Sequence, residues 1–216
     1  MGFLTLNVSG QNEPRNSNSI QSDFTKRRSR IVSQTVTYTT ISKSFCFALS
    51  STGVPGGIIE KSPPGSAQDD ENQPAYPGEA SLQERLNTII QINPSYHWQI
   101  ENGVVNLSPI LEEPELMKVR IRQFHAENVG LEVLQQLKAH PEVQKYFSKN
   151  SLNPPQAALM IGGLPSKSVP FSVHCENATV REVLNAIVKA HGTAIWSYQE
   201  TQCNGEGYYS LYFLVQ

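Results

Sequence analysis

The sequence predicts an α+β protein of two tandem small units, each a helix packed on a short mixed or antiparallel sheet in the order β-α-β-β. Three observations carry this. A helical stretch occurs twice, each copy runs into residues alternating around a tryptophan, and turn residues then lead to a return strand. Ser81 answers to Thr179 and Trp98 to Trp196, the same offset of 98 residues (179 − 81 and 196 − 98), with no gap needed. The chain has two tryptophans, and each copy holds one.

Within each copy the first signal is a cap. Ser81 and Thr179 are followed three residues later by Glu84 and Glu182. That spacing is a capping box, in which the hydroxyl accepts from a first-turn N–H and the carboxylate reaches back to the cap. Leu82, Leu86, Ile89 and Ile90 recur at helical spacing, as do Val180, Val183, Leu184, Ile187 and Val188. Asn93-Pro94 and His191-Gly192 stop the two helices. The shared core positions are Leu86, Ile89 and Trp98 in the first copy and Leu184, Ile187 and Trp196 in the second.

The strands follow. Residues 96–100 alternate, Asn102-Gly103 supplies the positive φ of a two-residue hairpin, and Val105 and Leu107 carry the return strand. In the second copy Ala194, Trp196 and Tyr198 alternate with Ile195 and Ser197. A longer loop over 200–207 then leads to the aromatic strand 208–215. Ahead of the second helix, Phe171, Val173 and Cys175 share one strand face.

The remaining segments are read by composition. Residues 1–35 form a polar leader rich in Asn, Ser and Gln, with a basic cluster at 26–30. Residues 36–110 form the first unit and 115–216 the second. Ile31 to Tyr38 reads as an edge strand, and residues 40–49 as a helix with Ile41, Phe45, Ala48 and Leu49 inward. The Gly56-Gly57 pair reads as a turn, since nothing around it resembles a phosphate-binding loop. Residues 62–78 are an acidic, proline-punctuated loop inside the first unit. Residues 116–124 alternate, with Val119 and Ile121 inward and Lys118, Arg120 and Arg122 outward as a cationic strand face. Residues 130–149 are helical around Pro141, and residues 157–161 read as a buried strand. A weaker echo links Phe124-His125-Ala126-Glu127-Asn128 with His174-Cys175-Glu176-Asn177.

Composition excludes little and supports less. The net charge of −2 gives no global field toward nucleic acid or anionic lipid. No stretch approaches the roughly 20 apolar residues of a membrane span. The first residues are too short and uncharged for an export signal. Cys46, Cys175 and Cys203 form no CxxC pair, and a Cys175–Cys203 bridge stays open as a possibility in an oxidising compartment. The five histidines show no metal-ligand spacing. His97 and His174 fall on strands facing outward, while His140 and His191 end helices. No catalytic, cofactor-binding or metal-ligating residue is singled out. Lys118, Arg120 and Arg122 are the candidate interaction residues.

Residues Phe171 to Trp196 carry a resemblance. The stretch is similar to the secretin and TonB short N-terminal domain, whose core reads as a strand, a short helix and a second strand after a glycine. Asn177-Ala178-Thr179-Val180 and Leu184 match the start of that helix, Ile187-Val188 its end, and Gly192 with Ile195 the exit. Residues 79–107 resemble the pattern again, and residues 40–60 resemble its leading helix and strand. The resemblance implies a non-enzymatic docking module of the Gram-negative envelope, periplasmic or exported, with a protein partner or self-association and no cofactor. Two rival readings remain: a small hydrolase using a histidine, and a polyanion or nucleic-acid binder using residues 26–30 with the cationic strand. A histidine beside a carboxylate in a deep pocket would favour the hydrolase, and a continuous basic surface the binder.

Overall fold

The computed structural model describes residues 40–61, 80–154, 169–203 and 205–215. The basic cluster at 26–30, the strand expected at 31–38, the acidic loop at 62–78 and the apolar run at 157–161 lie outside the described residues.

In chain order the elements are α1 (Thr40–Ser50), β1 (Gly56–Lys61), α2 (Leu82–Ile92), β2 (Tyr96–Glu101) and β3 (Val104–Pro109). A 3₁₀ turn (Glu115–Lys118), β4 (Arg120–Val129), α3 (Val133–Lys138), α4 (Pro141–Lys149) and β5 (Leu152–Asn153) follow. The chain closes with β6 (Phe171–Thr179), α5 (Val180–His191), β7 (Ala194–Cys203) and β8 (Glu206–Val215). The fold is α+β.

Local signals produce the local structure expected of them. Both capping boxes form: Glu84 N–H donates to Ser81 Oγ at 3.3 Å and Ser81 N–H to Glu84 Oε2 at 2.7 Å. Glu182 N–H donates to Thr179 Oγ1 at 3.2 Å and Thr179 N–H to Glu182 Oε2 at 2.6 Å. Asn102 and Gly103 take φ of 53° and 84°, the left-handed pair that closes β2 onto β3. Gly192 ends α5 at φ 96°.

The two copies build one sheet. Its six strands run β2-β3-β1-β7-β8-β5, and β4 and β6 make a separate antiparallel ribbon. The junction between copies is β1 against β7, paired in parallel over six positions from Gly56↔Ile195 to Lys61↔Glu200. Each copy supplies an antiparallel hairpin, β2/β3 and β7/β8. Each also supplies a parallel strand that precedes its repeated helix: β1 against β3, and β5 against β8.

The helices of the two copies cover opposite faces. Ile58 and Ile59, neighbours on β1, must point to opposite sides. Ile58 joins Phe45, Leu49, Leu86, Ile89 and Leu107 under α1 and α2. Ile59 joins Leu134, Val143, Leu184, Ile187 and Trp196 under α3, α4 and α5. Two expectations are corrected. Gly56-Gly57 is a buried strand start and not a turn, because each residue lies beneath a large side chain. A Cβ on Gly57 would sit 1.9 Å from Trp196 Cε2, and one on Gly56 would sit 2.3 Å from Leu49 Cδ1. β7 is buried on both faces from Ala194 to Tyr198. The loop expected over 200–207 is mostly strand, since β7 and β8 stay paired out to Cys203↔Glu206.

Candidate functional site

The repeated His-x-Glu-Asn letters end up face to face. β4 and β6 pair in antiparallel register, with His125 directly opposite His174. Residues two apart on a strand share a face, so Glu127 and Glu176 flank the pair at its two ends. His125 Nε2 lies 3.1 Å from Glu127 Oε1, and His174 Nε2 lies 3.2 Å from Glu176 Oε1. The two Nδ1 atoms are 3.1 Å apart and the rings meet edge to face at 5.3 Å. Asn128 and Asn177 both take left-handed φ, 52° and 48°. A register shift between Ala126 and Val129 kinks β4 there, and Asn128 N–H donates to Ser172 Oγ at 3.2 Å. Such a bulge re-aims neighbouring side chains.

The inner face of the ribbon is apolar: Ile121, Phe124, Ala126 and Val173 join the core on the α5 side. The histidine–glutamate cluster therefore stands on a rigid two-stranded platform and faces water. Half of the condition favouring a hydrolase is present, a histidine beside a carboxylate. All four side chains are more than half exposed.

The expected cationic strand face is divided three ways. Lys118 is the last residue of the 3₁₀ turn, outside β4, and pairs with Glu115 at 2.8 Å. The turn forms because Leu116 and Met117 are both buried, which breaks the alternation read from the sequence. Arg120 donates to the Asn177 carbonyl at 2.7 Å, closing the end of the ribbon. Arg122 lines a shallow open cleft of about 350 Å³ with Gln123, His140, Pro141, Glu142 and Lys145.

The other titratable groups serve structure. His140 spans two partners, Nε2 lying 3.0 Å from the Gln123 carbonyl and Nδ1 2.7 Å from Glu142 Oε2. His191 ends α5 as expected, yet burial pushes its pKa down and works against the cation that the helix terminus favours. Tyr146 and Tyr198 both donate to Glu200 Oε1, at 2.9 and 2.6 Å, and burial with that carboxylate holds both phenols far above their ordinary value. Where the copies join, Arg181 binds Glu113 and donates to Ser108 Oγ at 3.3 Å, with Glu101 3.8 Å away. Burial raises the Cys46 thiol to about 12 and the Cys175 thiol above its usual range. All three cysteines are free.

The repeat-core residues fall in two separate clusters. Leu86 and Ile89 are on the buried face of α2, with Trp98 of β2 partly buried in the same cluster, and Leu184 and Ile187 of α5 share the other cluster with Trp196 of β7. Sequence reasoning links the His125 and His174 stretches only as a weak echo and does not bring the two rings together. The signal that would have joined them was the twin His-x-Glu-Asn spacing, which an antiparallel ribbon turns into a symmetric cluster.

Among the described residues no helix is long and apolar enough to cross a membrane, and no group of three or more His, Cys, Asp or Glu side chains is arranged to hold a metal ion. No protein-family model, curated protein or solved structure matches the chain.

Proposed function

We propose that the chain is a non-enzymatic docking module of the bacterial cell envelope, related to the secretin and TonB short N-terminal domain, and that an extended segment of a partner protein adds to β2. The strand–helix–strand order of β6, α5 and β7 supports the relationship, because it is the order that family's core would give to residues 171–203. The observation carrying the docking reading is the position of β2. It is the edge of a six-stranded sheet, and among the described residues its outer side has no strand partner. Six residues of open backbone ladder give affinity to an added strand, and alternate side chains give it selectivity. Ile100, 61% exposed on this strand, offers an apolar anchor. The hairpin is held from within by Trp98 and Tyr96, so the edge is presented ready-formed.

The test is site-specific photo-crosslinking in native envelope extract. A crosslinking side chain at Gln99 should capture one protein, the same chain at Lys149 on α4 should not, and Ile100→Lys should abolish the capture. Identical products from positions 99 and 149 would overturn the reading.

A further inference from the structure

The histidine pair of the ribbon carries chemistry that docking through β2 leaves unused. Each Nε2 faces a carboxylate oxygen, Glu127 Oε1 at 3.1 Å and Glu176 Oε1 at 3.2 Å. An ionised carboxylate only accepts, so the ring nitrogen facing it must hold the proton. A neutral imidazole has one N–H, so in the tautomer that donates to the carboxylate Nδ1 offers its lone pair. The register places those two lone-pair atoms 3.1 Å apart. At that distance the two nitrogens either share a proton, one donating to the other, or turn both lone pairs to a common cation.

The spacing suits a metal ion. At the usual nitrogen–metal distance of about 2.05 Å, two nitrogens 3.1 Å apart subtend about 98° at the ion. That angle falls between the square-planar and tetrahedral values. Imidazole is a good ligand for copper, zinc and nickel, and a carboxylate on the far ring nitrogen is the usual device for fixing the tautomer and orienting the ring.

We infer that His125 and His174 chelate one divalent transition-metal ion through their Nδ1 atoms, with Glu127 and Glu176 as positioning residues and water filling the other positions. The site is bidentate, so it loads and releases an ion without unfolding the ribbon. Copper(II) binds more tightly than zinc, following the general order for nitrogen ligands. The site lies on β4 and β6, away from the β2 edge, so its fate and that of the docking reading are separable.

The experiment titrates the chelator-stripped full chain with copper(II) sulfate and, separately, zinc sulfate. Calorimetry should give one ion removed by His125→Gln or by His174→Gln, each lowering affinity at least tenfold. Glu127→Gln with Glu176→Gln should lower affinity by about tenfold or more, and His97→Gln should leave it unchanged. Imidazole nitrogen spectra of the unmodified chain should show Nδ1 of both histidines shifting together on adding zinc, a readout that needs no variant to fold. The inference is overturned if neither metal binds at millimolar concentration. It is also overturned if binding survives both histidine substitutions, or if the two rings respond independently.

Discussion

The Trp196 indole N–H donates to Asn185 Oδ1 at 2.8 Å, eleven residues back on the helix that covers it. Trp98 makes the same bond to Asn87 at 3.1 Å, across the same interval. The duplicated letters thus preserve a hydrogen bond as well as a packing pattern. The two bonds differ in setting: Trp196 is fully buried, whereas Trp98 sits partly exposed on the edge strand. An unpaired donor costs more where water cannot replace the lost acceptor. Asn185→Ala should therefore destabilise the chain by about 2–3 kcal/mol and Asn87→Ala by less than about 1 kcal/mol. Asn185 Nδ2 also donates to Glu101 Oε2 at 3.2 Å, which adds to the difference by tying α5 to the first hairpin. Urea unfolding of both variants checks the order. Equal losses would mean that the buried bond has no special weight.

Gly57 and Trp196 are register partners across the junction of the copies. A methyl group on Gly57 would overlap the indole at 1.9 Å, and the indole is locked by Asn185 and by core on every side. Gly57→Ala should destabilise by about 3 kcal/mol, at the upper end for overpacking a core. The clash has one main partner, so Gly57→Ala combined with Trp196→Phe should cost less than the sum of the two single changes. Thermal denaturation of the four chains measures this coupling. Strict additivity would show that the glycine answers to something other than the indole.

What could be read from the letters was what neighbouring letters decide. Ser81 with Glu84, Thr179 with Glu182, Asn102 with Gly103, and the inward face of α1 are all settled within a few residues, and all formed as expected. What failed depended on partners far along the chain. Gly56-Gly57 reads as a turn until Trp196, from the other copy, is laid over it. His125 and His174, 49 residues apart, meet only because β4 and β6 pair. Lys118 reads as strand because alternation continues through it, while the burial of both Leu116 and Met117 makes a tight turn instead.

His191 gives the stability an acid limb. Its ring packs edge-on against Phe171 at 5.9 Å and its Nδ1 is buried without a hydrogen-bond partner. Burial holds its folded pKa below the ordinary 6.5. On acidification the unfolded chain therefore takes up this proton first. The contribution is complete above pH 6.5 and is lost as the pH falls through the lowered folded value. The capping carboxylates of Glu84 and Glu182 act later, because their hydrogen bonds to Ser81 and Thr179 hold them below 4.5. His191→Gln should flatten the fall in urea midpoint that sets in just below pH 6.5 and leave the steeper fall at lower pH. An unchanged slope in that window would remove His191 as the cause.

The three thiols should react in a fixed sequence. Cys203 is exposed at the end of β7, Cys175 is partly buried in the ribbon, and Cys46 packs on the apolar face of α1 near Glu60. The thiolate is the nucleophile, so alkylation follows its population as well as access. Burial first, and then the Glu60 charge, raise Cys46 from 9.0 to about 12. At pH 8 that leaves about a thousandth of the thiolate an unshifted group would have. Iodoacetamide should therefore modify Cys203 first and Cys175 more slowly, its thiol also being raised by burial. Cys46 should react only when the chain unfolds, at a rate that rises with denaturant in step with global unfolding. Mass spectrometry of timed digests reads all three sites at once. Modification of Cys46 in the folded chain at a rate near that of Cys203 would show that α1 opens independently of the sheet it covers.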